Sequence, residues 1–448
     1  MNYFLFFALS GLILGYSIVI GKQASKGIKN DSDYFLSGRN LSFFKVFMTI
    51  LATQLGGGAI IGTAEAAYSH GWKALSYSSG IALGLIFLSL GLGAKFRKMN
   101  VSTVPEIFKK TYKSDTLRTF ASLLYILSMF LLLVAIGVSA RKFALSIGAN
   151  SNIAFVVFWT AIIIYTTTGG LNAVTKTDIL QIIFVLVAFS ITFAFLPHKF
   201  TTEVPLNINP TLATNVPWIN WLIIPCLSNM IGQDMAQRCF AARSHKSVPY
   251  AMVFAAILLV IATSLPTYLG ILARGIKMPV FGSSVLIEIV SSLTNPYVTS
   301  VFAAAILMAI LSTADSILCA LSSNISLDFD FFKNSTTEKT TKSSKLVTII
   351  VGMSAMICSF FASEVIPIMI VSYEITISAL FIPIMGALIL KSPDIRSAYG
   401  ACFTGFGVFL YFALLSSYEY RTICCVLLSA LVFIFSELFA RKKPSILP

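Results

Sequence analysis

Ala52-Thr53-Gln54-Leu55-Gly56-Gly57-Gly58 stands in the middle of an otherwise apolar run, residues 43–68, and its reading decides the fold. Three consecutive glycines weaken a helix by roughly 1 kcal/mol each relative to alanine. They also leave backbone carbonyls without a side-chain shield. In hydrocarbon an irregular backbone survives only where protein or a wet cavity satisfies it. Two readings follow. The helix is broken and its freed carbonyls bind a cation or a solute, or small residues let two helices pack closely. A glutamine in mid-run beside the glycines favours the broken helix.

The composition around this stretch requires a bilayer. The 448 residues are 57% hydrophobic and 11% charged, against roughly 25% charged in soluble domains. With 37 phenylalanines, the apolar side chains exceed what one globular core can bury. A spanning helix needs about 20 largely apolar residues. Runs of that kind number thirteen: 3–21, 43–68, 74–94, 118–140, 152–169, 177–197, 218–240, 248–273, 297–327, 346–363, 366–390, 397–417 and 421–440. The chain is therefore expected to be an all-α membrane protein of about 13 transmembrane helices.

The formal charge of +14 sits in short breaks between these runs and not along one helix face, which speaks against a nucleic-acid partner. Loops 22–45, 95–118, 238–246, 333–345, 391–396 and 441–443, with Lys176, hold 25 of the 32 basic residues. The alternate set, Lys73, Arg141, Lys142, Lys199, Arg274, Lys277 and Arg421, holds 7. The bias places the N-terminus outside and the C-terminus in the cytoplasm of a plasma (bacterial inner) membrane. Residues 3–20 lack a preceding basic cluster and a small-residue cleavage site, so they read as a first span and not as a signal peptide. The seven cysteines fall in or beside apolar segments without a CxxC pair, and His70, His198 and His245 lie in loops far apart. Neither set suits a metalloenzyme. Asp328–Lys345, rich in Ser, Thr and Lys, reads as a flexible cytoplasmic connector.

A second stretch complements the first. In Ala309-Ile310-Leu311-Ser312-Thr313-Ala314-Asp315-Ser316, positions 309, 312, 313 and 316 share one helix face, and Ser312, Asp315 and Ser316 an overlapping one. Hydroxyl and carboxylate oxygens on a stripe suit a hard cation. A lone Ser or Thr usually bonds back to the i−4 carbonyl. A carboxylate costs at least roughly 2.5 kcal/mol at a membrane helix centre, so Asp315 needs a cation, a proton or a basic partner. Asp178 could serve similarly, or simply favour a helix N-terminus. Asp234 follows Gly232-Gln233 in a run that also holds Pro225 and Asn229, which suggests a second interrupted helix. Glu65 and Tyr373-Glu374 fall nearer the outer interface.

These pieces, taken in order, resemble the sodium:solute symporter family. They are Asp33-Tyr34-Phe35-Leu36-Ser37-Gly38-Arg39, residues 52–58, Thr168-Gly169-Gly170-Leu171 with Thr177-Asp178 and Gln181, Gln237-Arg238 with Ala241-Ala242, and Ser312-Thr313-Ala314-Asp315-Ser316. The resemblance implies a leucine-transporter-type fold of two inverted five-helix repeats, 43–197 and 218–390, each opening on a broken helix. Residues 1–42 then form a first helix and cytoplasmic loop, and 391–448 two accessory helices and a short tail. It implies a sodium site at Ala52, Leu55, Ala309, Ser312 and Thr313, and a second sodium or proton site at Asp178, Ser312, Asp315 and Ser316. Solute contacts are implied for Gln54, Gly57, Gly58, Ala59, Gln233, Asp234 and Tyr373. Residues 56–68 are most similar to high-affinity choline transporters, but Gln54 and Gly232 stand where those have tryptophan, so the aromatic cage lacks two walls and a more polar solute fits better.

The function expected is sodium-coupled symport of a small organic solute by alternating access, with a proton carried on Asp178 or Asp315 as the alternative. Na+ is the coupling ion; no organic cofactor is expected. The partners are the solute and membrane lipid, with no nucleic acid and no obligate protein partner. A hydrolase would want a nucleophile with a nearby base, and no histidine lies inside a span. A channel of the same fold could not accumulate solute uphill.

Overall fold

The computed structural model describes residues 1–148, 151–196, 218–276, 278, 284–329, 337–415 and 418–442. All regular structure among them is helical. We number the helices α1 Tyr3–Ser25, α2 Asp31–Leu36, α3 Phe43–Gln54, α4 Thr63–His70, α5 Leu75–Phe87 and α6 Gly93–Met99. They continue as α7 Glu106–Tyr112, α8 Asp115–Ser146, α9 Ser151–Phe195, α10 Trp218–Ile231, α11 Gln233–Ala241 and α12 Ser247–Gly275. The rest are α13 Val285–Leu293, α14 Pro296–Asp328, α15 Thr337–Cys358, α16 Ile366–Ile389, α17 Ile395–Leu415 and α18 Arg421–Lys442. The one β-type contact among the described residues is an isolated bridge from Leu41 to Ala242.

Ten stretches of the described residues are helical, long and apolar enough to cross a membrane. Two of them are far longer than one crossing needs: Gly58–Met99, with 42 residues, and Asn152–Phe195, with 44. The second is bent at Gly170, whose φ of +54° lies in the left-handed region that glycine alone enters freely. A Cβ there would also lie 2.3 Å from the Tyr34 carbonyl oxygen. The Tyr34 hydroxyl donates to the Thr167 carbonyl at 3.1 Å, fastening α2 against the bend.

The centre of the bundle is α14, which packs against α9, α8, α1 and α3. Its start is fixed locally: Asn295 Oδ1 accepts from the backbone N–H groups of Tyr297 and Val298, and Pro296 takes the first helical position. From Phe302 to Asn324 every residue is buried. An apolar helix covered all round by other helices can carry polar side chains out of contact with lipid, and this one carries Ser312, Thr313, Asp315 and Ser316.

The polar stretch read as a flexible connector is partly helical, because α15 begins at Thr337. Its buried hydroxyls have partners: Ser344 Oγ donates to Asp31 Oδ1 at 3.0 Å, and Thr348 Oγ1 lies 3.3 Å from the Tyr34 hydroxyl. Tertiary docking on α2 extends the helix past the point where hydropathy ends. Residues 330–336, His198, Lys199 and Lys277 lie outside the described residues.

Candidate functional site

The glycine run breaks its helix. After Gln54, Leu55 leaves helical geometry with ψ at +55°, and a wider π-helical turn at Gly58–Gly62 leads into α4. The carbonyls that this releases meet the hydroxyl pair of α14. Ser312 Oγ donates to the Ala52 carbonyl at 3.1 Å, and Thr313 Oγ1 to the Thr53 carbonyl at 2.9 Å. Both hydroxyls also lie within 3.2 Å of the Ala309 carbonyl on their own helix. Leu55 is fully buried next to Gly56, which abuts Thr313. The result is a small, buried cluster of neutral carbonyl and hydroxyl oxygens, a donor set that suits a hard cation.

Below it on the same face of α14 lies a charged cluster. Asp178, Asp315 and Arg238 are fully buried. Asp178 Oδ2 accepts from Thr49 Oγ1 and is 3.9 Å from the Arg238 guanidinium. Arg238 also donates to Ser316 Oγ, to Thr49 Oγ1 at 3.2 Å and to the Asp234 carbonyl at 2.8 Å. Asp315 Oδ2 accepts from the Tyr165 hydroxyl at 2.7 Å. The guanidinium thus faces Asp178, while Asp315 is held by the Tyr165 hydroxyl. The Oδ1 atoms of both aspartates are buried without a hydrogen-bond partner among the described residues. Such orphaned oxygens call for water, a proton or a cation.

Against the break lies a cavity of about 50 Å³, lined by Thr53, Gln54, Gly56, Gly58 and Ala59 from the broken segment and by Thr313 from α14. Its other walls include Tyr77 on α5, Ser228 and Asn229 on α10, Asp234 on α11, and Met369 and Tyr373 on α16. Gln54 Nε2 donates to Asn229 Oδ1 at 3.3 Å, while the hydroxyls of Tyr77 and Tyr373 are 3.3 Å apart. A cavity of this size takes a few waters and is small beside the roughly 300–1,000 Å³ of small-molecule sites, so admitting an organic molecule calls for a wall to move.

The model of the Sodium:solute symporter family matches residues 34–392. The chain belongs to the sodium:solute symporter family. The sodium/pantothenate symporter of Haemophilus influenzae is 27% identical to it over 318 residues, 65% of this chain and 64% of that protein. The chain thus spans under two thirds of that relative's length. The sodium/proline symporter of Salmonella typhimurium is 27% identical over 341 residues, 69% of this chain and 67% of the relative. A solved structure of a Na+-coupled sialic acid symporter in a substrate-bound outward-open state superposes with a TM-score of 0.81 at 19% identity, covering 97% of this chain and 98% of that one. At that identity the likeness is one of fold.

In this symporter-family chain the residues singled out from sequence are distributed unevenly. Ala52, Ala309, Ser312 and Thr313 come together, with Leu55 beside them. Gln54, Gly58, Ala59, Asp234 and Tyr373 line the cavity. Gln233 does not: its Oε1 accepts from the Val104 N–H at 2.7 Å and its Nε2 donates to Ser323 Oγ at 3.3 Å, so it ties the loop before α7 to α11 and α14. Gly57 faces Ser139 and Ile310 and serves helix packing. Glu65 pairs with Lys142 at 3.5 Å, and Glu374 with Arg421. Among the described residues no cluster of His, Cys, Asp and Glu could hold a metal ion.

Sequence reasoning missed Tyr77, Thr49, Tyr165 and the roles of Asn229 and Arg238. Asn229 and Arg238 were visible as polar residues inside apolar runs, the same signal that selected Asp178. A tyrosine in a membrane helix carries no such signal, because it is as common at lipid interfaces as in sites.

Proposed function

We propose that this chain is a secondary active transporter that couples sodium entry to the uptake of a small organic solute by alternating access. The observation that carries the reading is the pair of hydroxyls on α14 reaching the carbonyls of a helix broken at mid-length. Sodium is cargo here. Ala52, Leu55, Ala309, Ser312 and Thr313 would supply its oxygens, and the solute would lie in the adjoining cavity, where Thr53, Gly56 and Thr313 border both. Sharing those residues gives the coupling a physical form. An ion that holds α3 and α14 together stabilises one conformation, and that conformation presents the solute walls.

The span count of thirteen fits this proposal if Asn152–Phe195 crosses twice about Gly170. Gly58–Met99 then also counts as two crossings, the first joined to α3, and α10 with α11 forms one broken span. Residues 43–197 and 218–390 would be the inverted repeats, opening on breaks at Leu55–Gly57 and at Gly232. The N-terminus would lie outside and the C-terminus in the cytoplasm of the inner membrane. Gln54, Asn229, Ser228 and Asp234 favour a hydrogen-bonding solute, and pantothenate and proline, cargo of the relatives, are of that class. The test is uptake into proteoliposomes under an imposed sodium gradient, screened over amino acids, vitamins and organic anions. Absence of sodium-driven accumulation for all of them, in protein that shows a cooperative thermal transition, would end the proposal.

A proton-coupled variant has its own support in the charge count of this cluster, where Asp178, Asp315 and Arg238 are all buried. Two buried carboxylates with one arginine leave one charge to be balanced, and a proton on Asp178 or Asp315 balances it. Accumulation driven by a pH gradient in sodium-free buffer separates this variant from the sodium reading.

A further inference from the structure

The turn between α17 and α18 reaches two of the helices that wall the cavity. Asn220 Nδ2 on α10 donates to the Glu419 carbonyl at 2.5 Å. Two residues on, Arg421 Nη2 donates to Glu374 Oε2 on α16 at 2.5 Å, with its Nε 3.2 Å from both carboxylate oxygens. Thr422 Oγ1 adds a bond to Glu374 Oε1 at 2.6 Å. This is no surface ion pair. Glu374 and Thr422 are buried at 3% and 1% exposure, and a forked guanidinium–carboxylate contact in that setting fixes geometry as well as charge.

What it fixes lies next door. Tyr373, the neighbour of Glu374, lines the cavity and meets the Tyr77 hydroxyl. One turn earlier Met369 lies over Gly58, where a Cβ would be 2.6 Å from Met369 Cε, and its sulfur accepts from the same Tyr77 hydroxyl at 3.9 Å. On the other helix, Ser228 and Asn229 lie two turns from Asn220 and also line the cavity. Glu419, Arg421 and Thr422 thus hold two of the elements that wall the cavity, α10 and α16.

We infer that residues 419–422 staple α10 to α16 and so set how tightly the cavity is closed, which makes Arg421 and Asn220 positioning residues for solute access. The inference rests on the symporter reading only in taking this cavity as the solute's. A wall that must move to admit an organic molecule has to strain or release this staple. Its strength then tunes the population of the open form.

The experiment reads cavity exposure without transport. Ser228→Cys in a Cys226→Ser background is treated with a membrane-impermeant, charged methanethiosulfonate in sealed vesicles of each orientation, and modification at residue 228 is followed by peptide mass. Arg421→Gln and Asn220→Ala should each raise the rate by about threefold or more from the side on which residues 419–422 lie, and leave the other side unchanged. Arg421→Lys, which keeps the charge but not the fork, should fall between. Rates equal to the parent in both variants overturn the inference. If Arg421→Gln fails to insert, Asn220→Ala decides alone. Because no solute or sodium gradient is involved, failure of sodium-driven uptake would leave the labelling result standing, and the converse holds.

Discussion

Thr313 Oγ1 occupies the space that a side chain at Gly56 would need: a Cβ built on Gly56 would lie 1.8 Å from that oxygen and 2.6 Å from Thr313 Cβ. The contact joins the broken helix to α14 at the point where carbonyls and hydroxyls meet. It explains why a glycine, and not merely a small residue, stands at this position.

Gly56→Ala should therefore push α3 away from α14 and abolish sodium-driven uptake. Overpacking of this kind costs about 1–3 kcal/mol, so the thermal midpoint in detergent should fall as well. Gly11→Ala is the control, since no atom lies within 4 Å of a Cβ there. A variant at Gly56 with parental uptake would show that the two helices do not need their present spacing.

Ser312→Ala and Thr313→Ala should each raise the sodium concentration for half-maximal uptake by about tenfold, the equivalent of about 1.4 kcal/mol per lost oxygen. The order of preference among solutes should be retained. Thr313→Ser keeps the oxygen and should stay near the parent. Unaltered sodium dependence in both alanine variants would remove these hydroxyls from the ion's path.

Much of this was legible in the sequence because lipid penalises irregularity. A glycine triplet, an aspartate after two hydroxyls and a Gly-Gln-Asp sequence are each expensive in hydrocarbon, and each falls at or beside the breaks and buried clusters. The side-chain directions were not legible. Gln233 and Asp234 are adjacent, yet α11 turns successive residues by about 100°, so Asp234 lines the cavity while Gln233 reaches Val104. The bend at Gly170 depends on Tyr34, 136 positions earlier, and no local pattern reports a contact of that separation.

The two glutamines separate binding from architecture. Gln54→Ala should change solute affinity or selectivity with little effect on thermal stability, since its one side-chain partner among the described residues is Asn229 across the cavity. Gln233→Ala should do the reverse. It strands the buried Val104 N–H, a loss of about 1–3 kcal/mol, and should lower the thermal midpoint while leaving solute preference intact. Parallel melting and uptake measurements on both variants check the assignment, and a selectivity change at Gln233 with unchanged stability would reverse it.

Arg238 should prove the more fragile partner in the charged cluster. Asp178 faces it at 3.9 Å, and Asp315 accepts from the Tyr165 hydroxyl at 2.7 Å. Arg238→Gln leaves both carboxylates buried without a cation, and breaking a buried pair in this way costs about 3–5 kcal/mol. Asp178→Asn removes one of the two negative charges and should be milder, because Arg238 keeps its bonds to Ser316, Thr49 and the Asp234 carbonyl. The double variant should recover much of the stability lost in Arg238→Gln, since residues in one network do not add. Melting of the four proteins in detergent completes the cycle. Additive losses would mean that Asp178 and Arg238 act independently, and that the guanidinium serves Ser316 and the α11 backbone instead of the carboxylate.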